Sequence, residues 1–357
     1  MKERCLDTRH RTQDTRDPRP NPPPEGGGDQ ASSPSPLWPI GSLREGGNGR
    51  GAFGCDILFI VGPSAAGKSA VAVETAKRLN GEIVSCDAMQ VYREIEIASD
   101  KPSPDMLRAV SHHLIGVVSI AEEFSVARYR ELALAAIRDI QLRGKRPIVC
   151  GGSGMYMMTL LDGIFEGGEP DPAVRARLAE EAEKNGLLAL FDRLRAVDPE
   201  AAAKISPNDL KRIVRALEVF ETTGQPLSVM QKKRDGLWGK QEIRVCALTR
   251  PREELYARAE ARVEAMFGQG LVEEVRGILA GKVSPMAERL IGIPEVRGFL
   301  EGGYGLDRAK YLMKLNTRHY IKRQMTWFRK DQRIEWTDIV SGQSAGDVAG
   351  IIEGKLK

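Results

Sequence analysis

The chain has 357 residues, 41% hydrophobic and 29% charged, with a net charge of +4. That is room for one large domain or two modest ones, with the makeup of a soluble globular protein. No apolar run reaches the length of a membrane span, so no membrane partner is expected. Its five cysteines (Cys5, Cys55, Cys86, Cys150, Cys246) are scattered and form no CxxC pair. They argue against a disulfide framework or zinc finger and for a reducing, cytoplasmic compartment.

Residues 1–54 read as a disordered extension or an over-called start. Pro18–Pro24, Gly26–Gly28 and Gly46–Gly51 offer too little apolar surface to offset ordering entropy. Residues 55–165 read as a P-loop α/β core. Ile57–Val61 is an apolar strand, and Ala70–Leu79 a helix. Glu82–Ser85 is a second strand, and Phe124–Arg143 a helix with Ser125 as N-cap and Gly144 past its end. The strand Pro147–Cys150 runs into the turn Gly151–Gly154. Within 166–240 the strand signals vanish between Asp171 and Gly236, leaving two or three charged helices as an insertion. Residues 241–340 return to the core with a strand at Ile243–Leu248, and after Pro251 the pattern is helical almost to the end. Residues 341–357 form a C-terminal tail. The expected fold is α/β, with a mostly parallel sheet like that of P-loop NTPases, crossover helices, a helical insertion and C-terminal helices.

Between the first strand and helix stands Gly62-Pro63-Ser64-Ala65-Ala66-Gly67-Lys68-Ser69, which matches the phosphate-binding P-loop pattern. Such a loop turns backbone N–H groups inward at a helix N-terminus. Lys68 would neutralise phosphate charge, and the Ser69 hydroxyl would ligate Mg2+. In open α/β sheets ligands bind at the carboxyl ends of the strands, where Asp87 and the Gly151–Gly154 turn join the loop. Asp87 is a turn aspartate, a magnesium ligand or a general base. His112 and His113 point to opposite strand faces and suit a structural role. In Pro207–Phe220, Ile213, Leu217 and Phe220 give a buried helical stripe. Lys211, Arg212 and Arg215 on the other face are a solvated basic surface or a phosphate-contacting patch. From Arg308 to Arg333 nine basic residues face a single acid, Asp331, with Tyr320 and Trp327 interleaved. That density of one sign attracts polyanions. A small-metabolite P-loop kinase leaves this basic region unexplained, and a non-enzymatic RNA-binding switch is the other alternative.

Over residues 56 to 335 the chain resembles the tRNA dimethylallyltransferases (isopentenyl-tRNA transferases). The resemblance is carried by Gly62–Ser69, Ser85–Arg93, Ala98–Pro102, His112–Ile115, Gly151–Tyr156, Asn208–Val219 and Lys322–Arg329. It implies transfer of a dimethylallyl group from dimethylallyl diphosphate to N6 of adenine 37, beside the anticodon of tRNA. The P-loop would then hold a diphosphate leaving group, with Lys68 and Arg262 assisting and Mg2+ as cofactor. Asp87 takes the place of the family's base, and Gln90 that of a reader of the flipped adenine. By motif position, Asp87, Ala88, Met89, Gln90, Ser153, Arg175 and Lys211, Arg212, Ile213, Val214 and Arg215 would touch the tRNA anticodon stem-loop. A monomer is expected. The sequence departs from the usual pattern at Ala66, Ser69, Asp100 and Gly116. No cysteine follows Cys246, so the zinc finger of eukaryotic members has no counterpart.

Overall fold

The computed structural model describes residues 56–165, 167 and 170–356; the expected extension at 1–54 lies outside them. β1 (Ile57–Val61) runs through the glycine loop into α1 (Lys68–Leu79), followed by β2 (Gly81–Ser85), α2 (Pro104–Ala109) and β3 (His112–His113). Next come α3 (Val126–Leu142), β4 (Arg146–Gly151) and α4 (Gly154–Leu161). The insertion is α5 (Pro172–Asn185), α6 (Leu187–Val197), α7 (Pro199–Ala202), α8 (Leu210–Thr223) and α9 (Leu227–Lys232). β5 (Ile243–Thr249) leads to α10 (Arg252–Gly268), α11 (Leu271–Leu279), α12 (Ile293–Leu300) and α13 (Leu306–Phe328). β6 (Ile334–Asp338) and α14 (Ala345–Leu356) complete the chain.

All ladders are parallel, in the order β3-β2-β4-β1-β5-β6. Every side chain of β1 is buried because helices cover both sheet faces. Ile57, Phe59 and Val61 enter one apolar cluster with α3, α4 and α11, while Leu58 and Ile60 enter the other with α1 and α14. That is the two-residue side-chain period of a strand acting on a continuous apolar run. Ser125 caps α3 by accepting from Arg128 N at 3.1 Å, and Gly144 follows it with φ of 69°. The insertion has its own core of Leu178, Leu190, Leu194, Ile213 and Leu217.

Three expectations need correction. The insertion holds five helices rather than two or three. The C-terminal region contains a sixth strand, β6, whose half-exposed edge position leaves only Ile334 and Thr337 buried and so no apolar run. Most of the tail at 341–357 forms α14, which buries Val348, Ala349 and Ile352 against the α1 face and ties back to β6 through Lys355 Nζ and Thr337 Oγ1 at 2.8 Å.

Candidate active site

Strand order changes direction at β1, which lies between β4 and β5, so the loops leaving the carboxyl ends of these strands open a crevice. Gly62 has φ of 134°, and a Cβ there would come within 2.3 Å of Leu248 O on β5. Only glycine lets the loop leave β1 so close to its neighbour. Gly67, also left-handed, precedes α1, whose N-terminus has no side-chain cap. Its leading N–H groups are therefore presented as an anion cradle. Lys68 Nζ donates to Pro63 O at 2.8 Å, inside the loop. Burial, the largest influence, lowers its pKa against the opposing pull of Cys150 and Asp87. Arg258 Nε donates to Ala65 O at 2.9 Å and Arg250 Nε to Ala66 O at 3.2 Å, so the outer carbonyls of the loop are fixed by two guanidiniums.

Asp87 follows β2. Its Oδ1 accepts from Met89 N at 2.9 Å, the turn that aims the carboxyl group into the crevice. The segment is strapped to the glycine turn after β4: Ser153 N donates to Cys86 O at 3.1 Å, and Ser153 Oγ accepts from Ala88 N at 3.1 Å. Gly151 permits this, because a Cβ there would fall 2.0 Å from Cys86 O. Gln90 Oε1 accepts from Ser85 Oγ at 3.1 Å, and its Nε2 donates to Asp100 O at 3.1 Å. Ser85, Asp87–Gln90, Asp100 and Gly151 line a cavity of about 320 Å³ that also takes in Lys68, Ser69, Arg262, Tyr320 and Arg323. A second hollow of about 380 Å³ opens on the outer side of Lys68 and Ser69.

Three further residues, given no role at the site by the sequence, complete it. Gln324 of α13, 5% exposed, accepts from Ser64 N at 2.8 Å and donates from Nε2 to Gly152 O at 2.9 Å, clipping the P-loop to the glycine turn. Tyr320, one turn earlier, stands beside Ser153 and Asp87, and burial raises its phenol pKa. Asp100 Oδ2 accepts from Arg262 Nη1 at 2.7 Å. The basic aromatic stretch was visible as a charge pattern, but only the fold shows which of its residues turn inward.

Of the expected tRNA contacts, Asp87, Ala88, Met89 and Gln90 line the cavity, whereas Ser153 supports it from behind. Arg175 and the Lys211–Arg215 segment sit on the insertion and do not line it. Lys211 and Arg212 are exposed on α8. Arg175 and Arg215 converge on the fully buried Glu218, at 2.7 Å each. Ile213 and Val214 of the same segment are 0% and 9% exposed and pack into the insertion core. His113 Nε2 lies 2.8 Å from Glu82 Oε2, and His112 Nδ1 lies 2.8 Å from Val110 O while His112 also lines the cavity.

A family model described as IPP transferase matches residues 90–331. The chain belongs to this family. A tRNA dimethylallyltransferase of Geobacter sulfurreducens is 44% identical over 79% of this chain and 91% of its own length. One from Heliobacterium modesticaldum is 43% identical over 78% and 88%. Among solved structures, the tRNA isopentenylpyrophosphate transferase of Bacillus halodurans aligns with a TM-score of 0.62 at 35% identity, covering 84% of this chain and 96% of that one. A eukaryotic dimethylallyltransferase described as acting on tRNA aligns with a TM-score of 0.67 at 27% identity, covering 83% and 75%. Family membership makes this chain a prenyl-group transferase, and the α/β fold expected from the sequence is the one observed. The matched segment begins at residue 90, so the P-loop and Asp87 rest on the site geometry itself.

Proposed function

We propose that this IPP transferase family member moves a dimethylallyl group from dimethylallyl diphosphate to N6 of adenine 37 in tRNA. The observation that carries the reading is one cavity shared by an anion-binding loop with its lysine, a second cation at Arg262 and the carboxyl group of Asp87. A diphosphate seated on the loop amides, Lys68 and Arg262 leaves with its negative charge compensated as the allylic C–O bond breaks. The exocyclic amine of adenine is a weak nucleophile because its lone pair is delocalised into the ring. As N6 attacks the allylic carbon, Asp87 takes the N6 proton, a role that contributes about 10²–10⁴-fold in comparable enzymes. Adenine must leave the loop stack to reach the cavity, where Gln90, held by Ser85, meets its edge.

The Ser69 hydroxyl, on the cavity beside the phosphate loop, is a hard oxygen donor of the kind a divalent cation takes. Among the described residues no group of three acidic, histidine or cysteine side chains could hold a metal alone. Mg2+ would therefore share its ligands with substrate phosphates and water, as this ion commonly does. When bound, it neutralises leaving-group charge. The exposed Lys211 and Arg212 of the insertion face outward as a tRNA backbone contact. We read the enzyme as a cytoplasmic monomer.

Incubation with Mg2+, radiolabelled dimethylallyl diphosphate and unmodified tRNA bearing adenine 37 tests the reading. Label is expected in the tRNA at that base. Unlabelled tRNA together with ATP turnover would replace the transferase by a kinase; tRNA binding without either reaction would leave an RNA-binding switch.

A further inference from the structure

Asp100 stands where the two hollows meet and lines both. Its backbone has φ of 51°, a left-handed conformation that few non-glycine residues adopt unless their surroundings hold it, aspartate more readily than most. Here the surroundings hold it. Glu274 of α11 accepts the backbone N–H groups of Glu96, Ile97 and Ala98 at 2.7–2.9 Å, nailing down the approach to Asp100. Lys101, with a side chain only 7% exposed, holds the far side by pairing with Glu96 at 2.6 Å and donating to Arg93 O at 3.0 Å. The Asp100 carbonyl accepts from Gln90 Nε2, and the carboxylate accepts from Arg262. One end of Arg262 is thus engaged, while its Nε is buried with no hydrogen-bond partner among the described residues. An unpartnered buried donor carries a desolvation penalty that an incoming acceptor removes.

A half-exposed ion pair of this kind adds little to stability. Its consequence is orientation: a flexible arginine that lines both hollows is held in one place. We propose that Asp100 is a positioning residue that fixes the Arg262 guanidinium for the leaving diphosphate through its carboxylate and the Gln90 amide through its carbonyl. The proposal rests on the roles given above to Arg262 and Gln90. Because the two holds use different atoms, side-chain substitutions separate them. Truncating the carboxylate frees Arg262 and leaves Gln90 in place.

Steady-state transfer kinetics of the full chain, with labelled dimethylallyl diphosphate and tRNA, provide the test for wild type, Asp100→Ala, Asp100→Asn, Arg262→Ala and the double Asp100→Ala/Arg262→Ala variant. Asp100→Ala is expected to lower kcat about tenfold, the scale of a modest loss of orientation, with KM for tRNA unchanged. Asp100→Asn, which keeps an acceptor oxygen and tolerates the left-handed backbone, should recover part of that loss. The double variant should be no slower than Arg262→Ala alone, since the aspartate acts only through the arginine. Additive losses would overturn the proposal, as would an unchanged kcat in Asp100→Ala. Retained tRNA affinity in each variant verifies folding. Inactivity of the wild type in the same assay is a distinct result that would sink the transfer reading before any variant is compared.

Discussion

At the scale of single residues the site depends on carboxylates whose surroundings differ. Asp87 sits in a turn, with one oxygen committed to Met89 N and its carboxyl group on the cavity. Asp87→Ala is therefore expected to abolish label transfer while filter binding still detects the tRNA complex, since the phosphate contacts lie elsewhere. Turnover within tenfold of wild type would place the base on another group. Glu82 is 2% exposed at the far end of β2. Hydrogen bonds from Arg143 foremost, with His113 and Lys145, outweigh burial and hold its carboxyl well below the usual carboxylate range. A depressed folded-state pKa stabilises the fold fully above the unfolded value of about 4.3, and that stabilisation is lost as pH falls towards the folded value. Glu82→Gln should therefore melt below wild type at neutral pH. The two melting curves should converge as the pH is taken from about 5 towards 3, a difference scanning calorimetry can follow.

At the scale of elements, α13 has two jobs. Its inward face delivers Tyr320 and Gln324 to the cavity rim, while Lys322, Arg323, Trp327, Arg329 and Lys330 remain exposed. Gln324 spans 260 residues of sequence to reach Ser64 and 172 to reach Gly152. Gln324→Ala would leave a loop N–H and a buried carbonyl without partners, at about 1–3 kcal/mol each. We expect kcat/KM for dimethylallyl diphosphate to fall at least tenfold with tRNA affinity little changed; equal losses in both would mean that α13 itself had shifted. The same element-level view divides the basic residues of α8. Arg215 is tied with Arg175 to buried Glu218 and serves the packing of α5 on α8, whereas Lys211 and Arg212 are turned to solvent.

At the scale of the whole molecule, α14 closes the sheet face that α1 alone leaves partly open, joining the cluster of Leu58, Ile60 and Val71. Deleting residues 341–357 removes the buried Val348 and Ile352 and is expected to destabilise the fold by about 3–6 kcal/mol, read as a lowered Tm. A deletion variant with unchanged Tm would make the helix dispensable.

What the sequence determined by itself is what local geometry encodes. A glycine-rich loop between an apolar strand and a helix can form one kind of anion cradle, and runs such as Ile57–Val61 can be buried only where both sheet faces are covered. β6 and α14 escaped because this edge strand buries only Ile334 and Thr337 and because Gly346, Gly350 and Gly354 weaken a helix signal that packing then overrides. Only the tertiary structure brought Asp100 and Tyr320 to the cavity and set Gln324 as the clip between its loops. Asp100, Tyr320 and Gln324 have no local signature, since their partners lie across the fold on other elements. Their positions follow from the parallel crossovers, which bring the carboxyl ends of β1, β2 and β4 to one rim and lay α13 against it.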